Sequence, residues 1–309
     1  MTDQYRVVRH TLSSRARLEI TAREFHEVVR AVDGLGRVID IEEAYDILIS
    51  NYMEYERAVA GILIEEEVRR RISSEAFNQD RRHMSRVTAN LLSSARLFRD
   101  IADNVVPKLL GRKALKEFRD EKAKVAEQSF PYRFMEELRN HSQHEHFPVT
   151  GISYGANWLG HNDEVKATRV HTFKPSVKPH LLKAFPRFRN LAAEYEEMRE
   201  VDPALPEGID LTLFVRHYVM CMGDILVVLR QMLQRSGLIE ALNLTVESMV
   251  QPFIDLDGNA TLMGIEAEHL RNGEVVDRRH LGSELGSVVA HLQKENRKLV
   301  NLHRIQFRL

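Results

Sequence analysis

The chain has 309 residues, 43% hydrophobic and 29% charged, with 15 glycines and 9 prolines, which supplies ample core for one large or two ordinary domains and excludes collagen-like or low-complexity chains. Its 44 basic and 45 acidic residues give a formal net charge of −1, so no global field draws it to nucleic acid and any such contact must be local. A single cysteine, Cys221, excludes an internal disulfide, Met1 to Ser13 lack the apolar core of a signal peptide, and no apolar stretch of membrane length is free of charge, so a cytoplasmic protein with no membrane segment is expected.

In chain order, Leu18-Glu19-Ile20 alternates as a short strand would, but weakly. Thr21 and Glu24 form a capping box that opens a helix through Phe25, Val28, Val29 and Val32, which Gly34 and Gly36 are expected to stop. Asp40 and Glu43 form a second box, after which Ala44, Leu48, Tyr52, Tyr55, Val59 and Ile62 keep helical spacing. Glu65-Glu66-Glu67 ahead of Arg69-Arg70-Arg71 suits an exposed helix stabilised by pairing across three or four residues. Arg81-Arg82-His83 precede another helix, with Met84, Val87, Leu91, Ala95, Phe98, Ala102 and Val105 inward and Pro107 expected to end it. Polar helix continues from Lys108 to Ser129. Its Lys108, Arg112, Lys113, Lys116 and Lys122 are the local candidates for phosphate contact, although the same residues suit a plain solvated face.

The next stretch, from Pro131 to Pro148, carries the most chemistry in the least chain. Pro131 suits a first helical turn and Pro148 disfavours helix at Phe147, so a helix is expected over about 131 to 146. At about 100° per residue, Phe134, Met135, Leu138 and Ser142 form an inward stripe. Glu136, Arg139, Asn140, Gln143, His144 and His146 share the opposite face, which wants water or a substrate. Arginine and histidine near a helix C-terminus also complement the helix dipole without any catalytic role.

Arg139, four intervening residues and His144, with the polar Asn140 directly after the arginine, resembles the HEPN family; His146 also satisfies the spacing. The resemblance is firm over this helix and looser from Arg82 to Ser236. It implies a helical bundle with a metal-independent RNA endonuclease site, in which Arg139 and His144 are catalytic and Asn140 supportive. It also implies a homodimer that brings two such helices together. The chemistry stands without the family name. Cleavage of RNA through its own 2'-hydroxyl needs a base, an acid and positive charge on the crowded phosphate. Histidine titrates near neutrality, and the forked, always-charged guanidinium matches phosphate oxygens.

Beyond Pro148, Ile152 to Trp158 and Lys166 to Phe173 are β-rich runs about a Gly160 to Asp163 turn cluster, so a hairpin is expected over 151–174. Helices are expected over 188–200 and, behind an Asp210 cap, over 209–236. From Met249 a small meander is expected through Phe253 to Leu256, Thr261 to Met263 and Glu274 to Val276, with turns at Asp257-Gly258-Asn259 and Asn272-Gly273. A last helix then runs from Ser283 through Leu299. Asp255 to Glu266 resembles a calcium loop only superficially, because Ala260 stands where its sharp turn needs glycine. His141, His144 and His146 would converge on a metal only if the helix unwound after Gln143, because His141 and His146 fall on nearly opposite faces. No metal or other cofactor is expected.

The expected fold is mainly α: a HEPN-like helical bundle with an inserted β-hairpin and a small mixed α/β C-terminal segment. The expected division is an N-terminal helical extension over 1–80, the bundle over 81–245 and the C-terminal segment over 246–309. The expected function is an endoribonuclease of prokaryotic defence or toxin–antitoxin type, with RNA as substrate and an antitoxin or defence-complex protein as a possible partner. The alternative is a catalytically inactive helical module that binds a protein partner.

Overall fold

The capping box forms as expected: the Glu24 N–H donates to Thr21 Oγ1 at 3.2 Å and the Thr21 N–H to Glu24 Oε2 at 2.7 Å. The helix it opens, α1, runs unbroken from Ala22 to Arg69 in the computed structural model. That structure describes residues 2–10, 15–69, 73–144, 146–159, 168–178, 185–257, 264–282 and 284–305, with 15, 144, 156–159, 168–170, 187 and 255–257 described by their backbone alone. Gly34 and Gly36 do not end α1, and Asp40 and Glu43 are interior positions rather than a second start. An interior glycine costs a helix about 1 kcal/mol relative to alanine. A Cβ at Gly34, however, would lie 2.7 Å from Leu242 Cδ1, so the glycine lets that side chain pack closely where a larger residue would push its methyl aside. Of the expected basic run after the glutamates, Arg70 and Arg71 lie outside the described residues.

Helix α2, Ser74–Leu110, carries Pro107 inside its last turn, and the chain leaves it at Gly111 (φ 87°), whose N–H donates to Pro107 O at 3.1 Å. Then come α3, Arg112–Gln128, and α4, Phe130–His144. Strands β3, Gly151–Leu159, and β4, Thr168–Val177, form the expected hairpin, its turn residues 160–167 lying outside the described ones. After α5, Pro186–Val201, the short strand β5, Ile209–Asp210, pairs with β4. Asp210 then caps α6, Leu211–Arg235, by accepting the Thr212 N–H at 2.9 Å. Helix α7, Leu238–Asp257, continues through Pro252 and Phe253, where strand was expected. Val246, Val250 and Phe253 recur at helical spacing and enter one core, and that periodicity overrides the β-rich composition of Phe253 to Leu256. The Gly258-Asn259 turn and the Thr261 to Met263 run lie outside the described residues, as does Ser283 before α8, Leu285–Glu295.

Contacts divide the chain into two units, neither continuous in sequence, which differs from the three consecutive stretches expected. The first comprises 1–43, 101–117 and 228–297. It holds an antiparallel sheet in the order β2-β1-β6-β7, from β1, Asp3–His10, β2, Arg15–Ile20, β6, Ile265–Arg271, and β7, Glu274–His280. Asn272 and Gly273, with φ of 52° and 87°, make the β6–β7 turn as their pairing predicts. Val7, Ile265 and Ala267 of the sheet pack with Phe25, Val28, Ala31 and Leu35 of α1 and with the three α7 residues just named. The N-terminal strands and the C-terminal hairpin are thus parts of one sheet. The second unit comprises 44–100, 118–227 and 298–309; it contains α4, the β3-β4-β5 sheet and the buried residues Tyr45, Leu48, Tyr55, Met84, Leu91, Phe98, Leu138, Tyr218 and Met222. Among the described residues the chain is mainly helical, with eight α-helices and these two small antiparallel sheets.

Among the described residues only α6 is long and apolar enough to cross a membrane. It is a core helix, with Val215, Tyr218, Val219, Met222, Ile225 and Leu226 buried. Its next turn outward meets the C-terminal segment: the rings of His217 and His303 stack at 5.7 Å and 9°. Burial, and secondly His303, hold the His217 imidazole below its ordinary pKa. Above about pH 6.5 both folded and unfolded chains carry it neutral and it contributes nothing; below that the unfolded chain takes up the proton more readily, so stability falls until the folded value is reached. The melting temperature of the native protein should therefore drop faster between about pH 6.5 and 5 than that of His217→Phe. Parallel melting curves would show that the stack does not couple to folding.

Candidate active site on helix α4

Ser129 starts the motif helix, its Oγ accepting the Tyr132 N–H at 3.2 Å and its carbonyl the Arg133 N–H at 3.2 Å. Pro131 occupies the first turn, where its missing N–H removes no intrahelical bond. The inward stripe is as expected and wider: Phe134, Met135 and Leu138 are fully buried, joined by Tyr132 and His141, while Ser142 is half-buried and donates to Arg139 O at 3.0 Å. His141 packs against Phe185 at 4.3 Å and Phe188 at 5.6 Å between ring centroids, off the polar face.

The helix stops at His144, two residues before the expected end, and the chain bends back so that the His146 N–H donates to His141 O at 3.4 Å. The exposed His146 ring therefore lies 5.6 Å from His141 and 5.9 Å from Phe185. The helical wheel put these two histidines on opposite faces because it assumed a regular helix through residue 146. With the last turn undone they are neighbours. The imidazole of His144 lies outside the described residues.

The polar face, expected to meet water or substrate, is partly covered by neighbouring helices. Glu136 Oε1 accepts the Tyr218 hydroxyl of α6 at 2.5 Å, and its other oxygen pairs with Arg99 of α2, whose guanidinium lies 5.8 Å above the Tyr132 ring. Burial raises the pKa of the Tyr218 hydroxyl, which is the donor in this bond.

Arg139, one turn further on, differs from these. Its Nη1 donates to Asn140 Oδ1 at 3.1 Å, and its Nε is buried with no hydrogen-bond partner. Among the described residues no carboxylate forms an ion pair with it. Burial, and next the nearby Arg96, hold the guanidinium below its ordinary pKa; Arg99 adds to this and Asp100 opposes it. Arg96 itself donates to Asp100 at 2.8 Å. Among the described residues Arg96 and Arg99 thus each have a carboxylate, Asp100 and Glu136, and Arg139 beside them has none. A guanidinium with donors to spare beside two other cations suits an anion.

Lys108, Arg112, Lys113 and Lys116 are exposed but belong to the first unit, whereas Arg139, Asn140, His144 and His146 belong to the second. Lys122 is buried with its ammonium 4.8 Å above the Phe118 ring, so it does not present itself to a phosphate. Sequence reasoning missed Arg96, Arg99 and Tyr218. The available signal was that the arginines lie three apart beside the buried Phe98, a place where charge needs a purpose.

Among the described residues the groups that could hold a metal ion are His10, Glu266 and Glu268 in the first unit, whose ligand atoms lie within 4.8 Å of one another. Arg6 donates twice to Glu268 Oε2, at 2.8 and 2.6 Å, and Arg278 to Oε1 at 3.0 Å. His10 Nε2 and Arg278 Nε approach Glu266 Oε2 at 3.1 and 3.3 Å. Both carboxylates are thus already charge-compensated, and the cluster reads as a strap across β1, β6 and β7. Compared with family models, curated proteins and solved structures, the chain matches none.

Proposed function

We propose that the protein is a metal-independent RNA endonuclease of HEPN type, built on a HEPN-like bundle, acting in the cytoplasm as a homodimer within a defence or toxin–antitoxin system. The observation that carries this reading is the half-buried Arg139 guanidinium, which has no carboxylate partner among the described residues and is crowded by Arg96 and Arg99. A phosphate would relieve that crowding and accept the forked bonds. Asn140 holds the guanidinium from one side and leaves the rest of the fork to the substrate.

His144, or His146 on the longer spacing, takes the proton of the 2'-hydroxyl. The oxygen attacks the adjacent phosphorus, the bond to the 5'-oxygen breaks, and that oxygen leaves with a proton from a second acid. One copy offers few such groups, so the second set comes from the same helix of a partner copy. The products are a 2',3'-cyclic phosphate and a 5'-hydroxyl.

Purified protein incubated with mixed RNA in excess EDTA should cleave it and leave cyclic phosphate ends. Cleavage that stops on chelation and returns with added metal would overturn this reading. The other reading, an inactive module for a protein partner, is supported by the cover that Arg99 and Tyr218 place over Glu136, since part of the motif face is thereby structural. It predicts no cleavage under any of these conditions.

A further inference from the structure

From Arg81 to Arg99 α2 carries five arginines and His83 with no aspartate or glutamate, in a chain whose overall charge is nearly balanced; Arg82, His83 and Arg86 are exposed, while Arg81, Arg96 and Arg99 are half-buried. The apolar ladder Met84, Val87, Leu91, Ala95 and Phe98 is buried and fixes the inward side. On the outward side, at about 100° per residue, Arg82, Arg86, Ser93 and Arg96 fall within about 80° of one another, and at about 1.5 Å rise the first and last are about 21 Å apart. Arg82, Arg86 and Ser93 are exposed, and Arg96 is the residue that crowds Arg139.

Arg23 is matched with Glu27 and Arg199 with Glu196 at helical spacing, and within the stripe itself Arg96 is matched with Asp100. The positions three and four away from Arg82 and Arg86 offer Asn78, Gln79, Ser85, His83, Ala89 and Asn90, and each other. Neither arginine has an ion pair among the described residues. A like-charge pair four apart weakens a helix rather than stabilising it, so the pair has no role in holding α2 together. The small side chains of Ala89 and Ser93 separate it from Arg96, so no long side chain stands on that line of the helix between them.

We propose that this stripe is the track for a single-stranded RNA backbone, with Arg82 and Arg86 each neutralising a phosphate and the strand passing over Ala89 and Ser93 to place its scissile phosphate at Arg139. The proposal rests on the nuclease reading for what happens at Arg139, but the track is a binding surface in its own right. It differs from the exposed lysines after Leu110, which belong to the other unit. Arginine suits the task because its contact with phosphate is charge-assisted and forked, and the exposed Asn90 amide adds a donor alongside.

The test is fluorescence anisotropy with a labelled 12-nucleotide 2'-O-methyl RNA, which cannot be cleaved through its 2'-oxygen, titrated from about 50 to 200 mM salt against native protein and Arg82→Gln/Arg86→Gln. The double variant should bind about tenfold more weakly at mid-range salt, and its slope of log K against log salt should be smaller by about 1.4, two contacts at about 0.7 each for a single strand. Its melting temperature should match the native value or exceed it, because a repulsion has been removed. Unchanged affinity and slope would overturn the track while leaving cleavage at Arg139 intact. Tighter native binding to a duplex of the same length would overturn the single-strand assignment. Native protein that binds in the predicted way but never cleaves unmodified RNA would retain the track and refute the nuclease, so the two failures are distinguishable.

Discussion

Arg139→Ala should reduce RNA cleavage about 100- to 1000-fold, the usual effect of removing one preorganised donor from a developing charge, while leaving the melting temperature nearly unchanged. The second half of that expectation comes from the environment of the guanidinium. It is half-buried, its Nε has no partner, and Arg96 and Arg99 stand beside it, so its removal strips no carboxylate of a partner and relieves positive charge. Arg139→Lys should restore little, because an ammonium keeps the charge but not the fork. His144→Ala and His146→Ala, measured alongside, identify the proton carrier, and the one that matters should lower cleavage about 100- to 10,000-fold. Mixing Arg139→Ala chains with chains of that histidine variant should recover part of the activity if the site is shared across a dimer. An Arg139→Ala protein that melts far earlier, yet cleaves normally for whatever fraction stays folded, would make the motif helix a structural element and end the nuclease reading.

Arg216→Met should be among the most destabilising single changes in the chain, about 3 to 5 kcal/mol in a urea melt, although methionine fills much the same space. Arg216 donates from Nε and Nη2 to the two oxygens of Glu56 at 2.7 and 2.8 Å, and from Nη1 to Ile305 O at 2.8 Å. The side chains of the pair are only 6% and 12% exposed, so removing the cation leaves a carboxylate out of water among Tyr52, Tyr55 and Thr212. The double variant Glu56→Leu/Arg216→Met should recover most of the loss, because it removes the orphaned charge as well as the pair. Losses that simply add would show that the Ile305 carbonyl and packing, rather than the stranded Glu56 charge, set the cost.

Much of this architecture was legible in local signals. The Thr21–Glu24 box, the Asp210 cap, the Asn272-Gly273 turn and the inward stripe of α4 each depend on residues within a few positions of one another, and each formed as its chemistry dictates. What escaped depends on partners far along the chain. Gly34 looks like a stop until Leu242 is brought against it. Phe253 looks like strand until Val246 and Val250 are seen to share its core with Val7 and Ile265. At the candidate site, the Arg139 to His144 spacing was readable, but the charges that give Arg139 its character come from Arg96 and Arg99, and Glu136 owes its role to Tyr218. No pattern within α4 announces them.

The joining of β1 to β6 also sets an order of events during synthesis. Arg6 and Glu268, which bind each other across that pair, are 262 residues apart in the chain. At translation rates of about 5 to 20 residues per second, β1 and β2 wait roughly 13 to 50 s before their partner strand exists. A lone two-stranded hairpin is marginal in water, and its unpaired edge is an invitation to any other extended chain. Until residue 271 emerges that edge stays open, and the charged Arg6 and Arg9 on the strand itself are what blunt it against other chains.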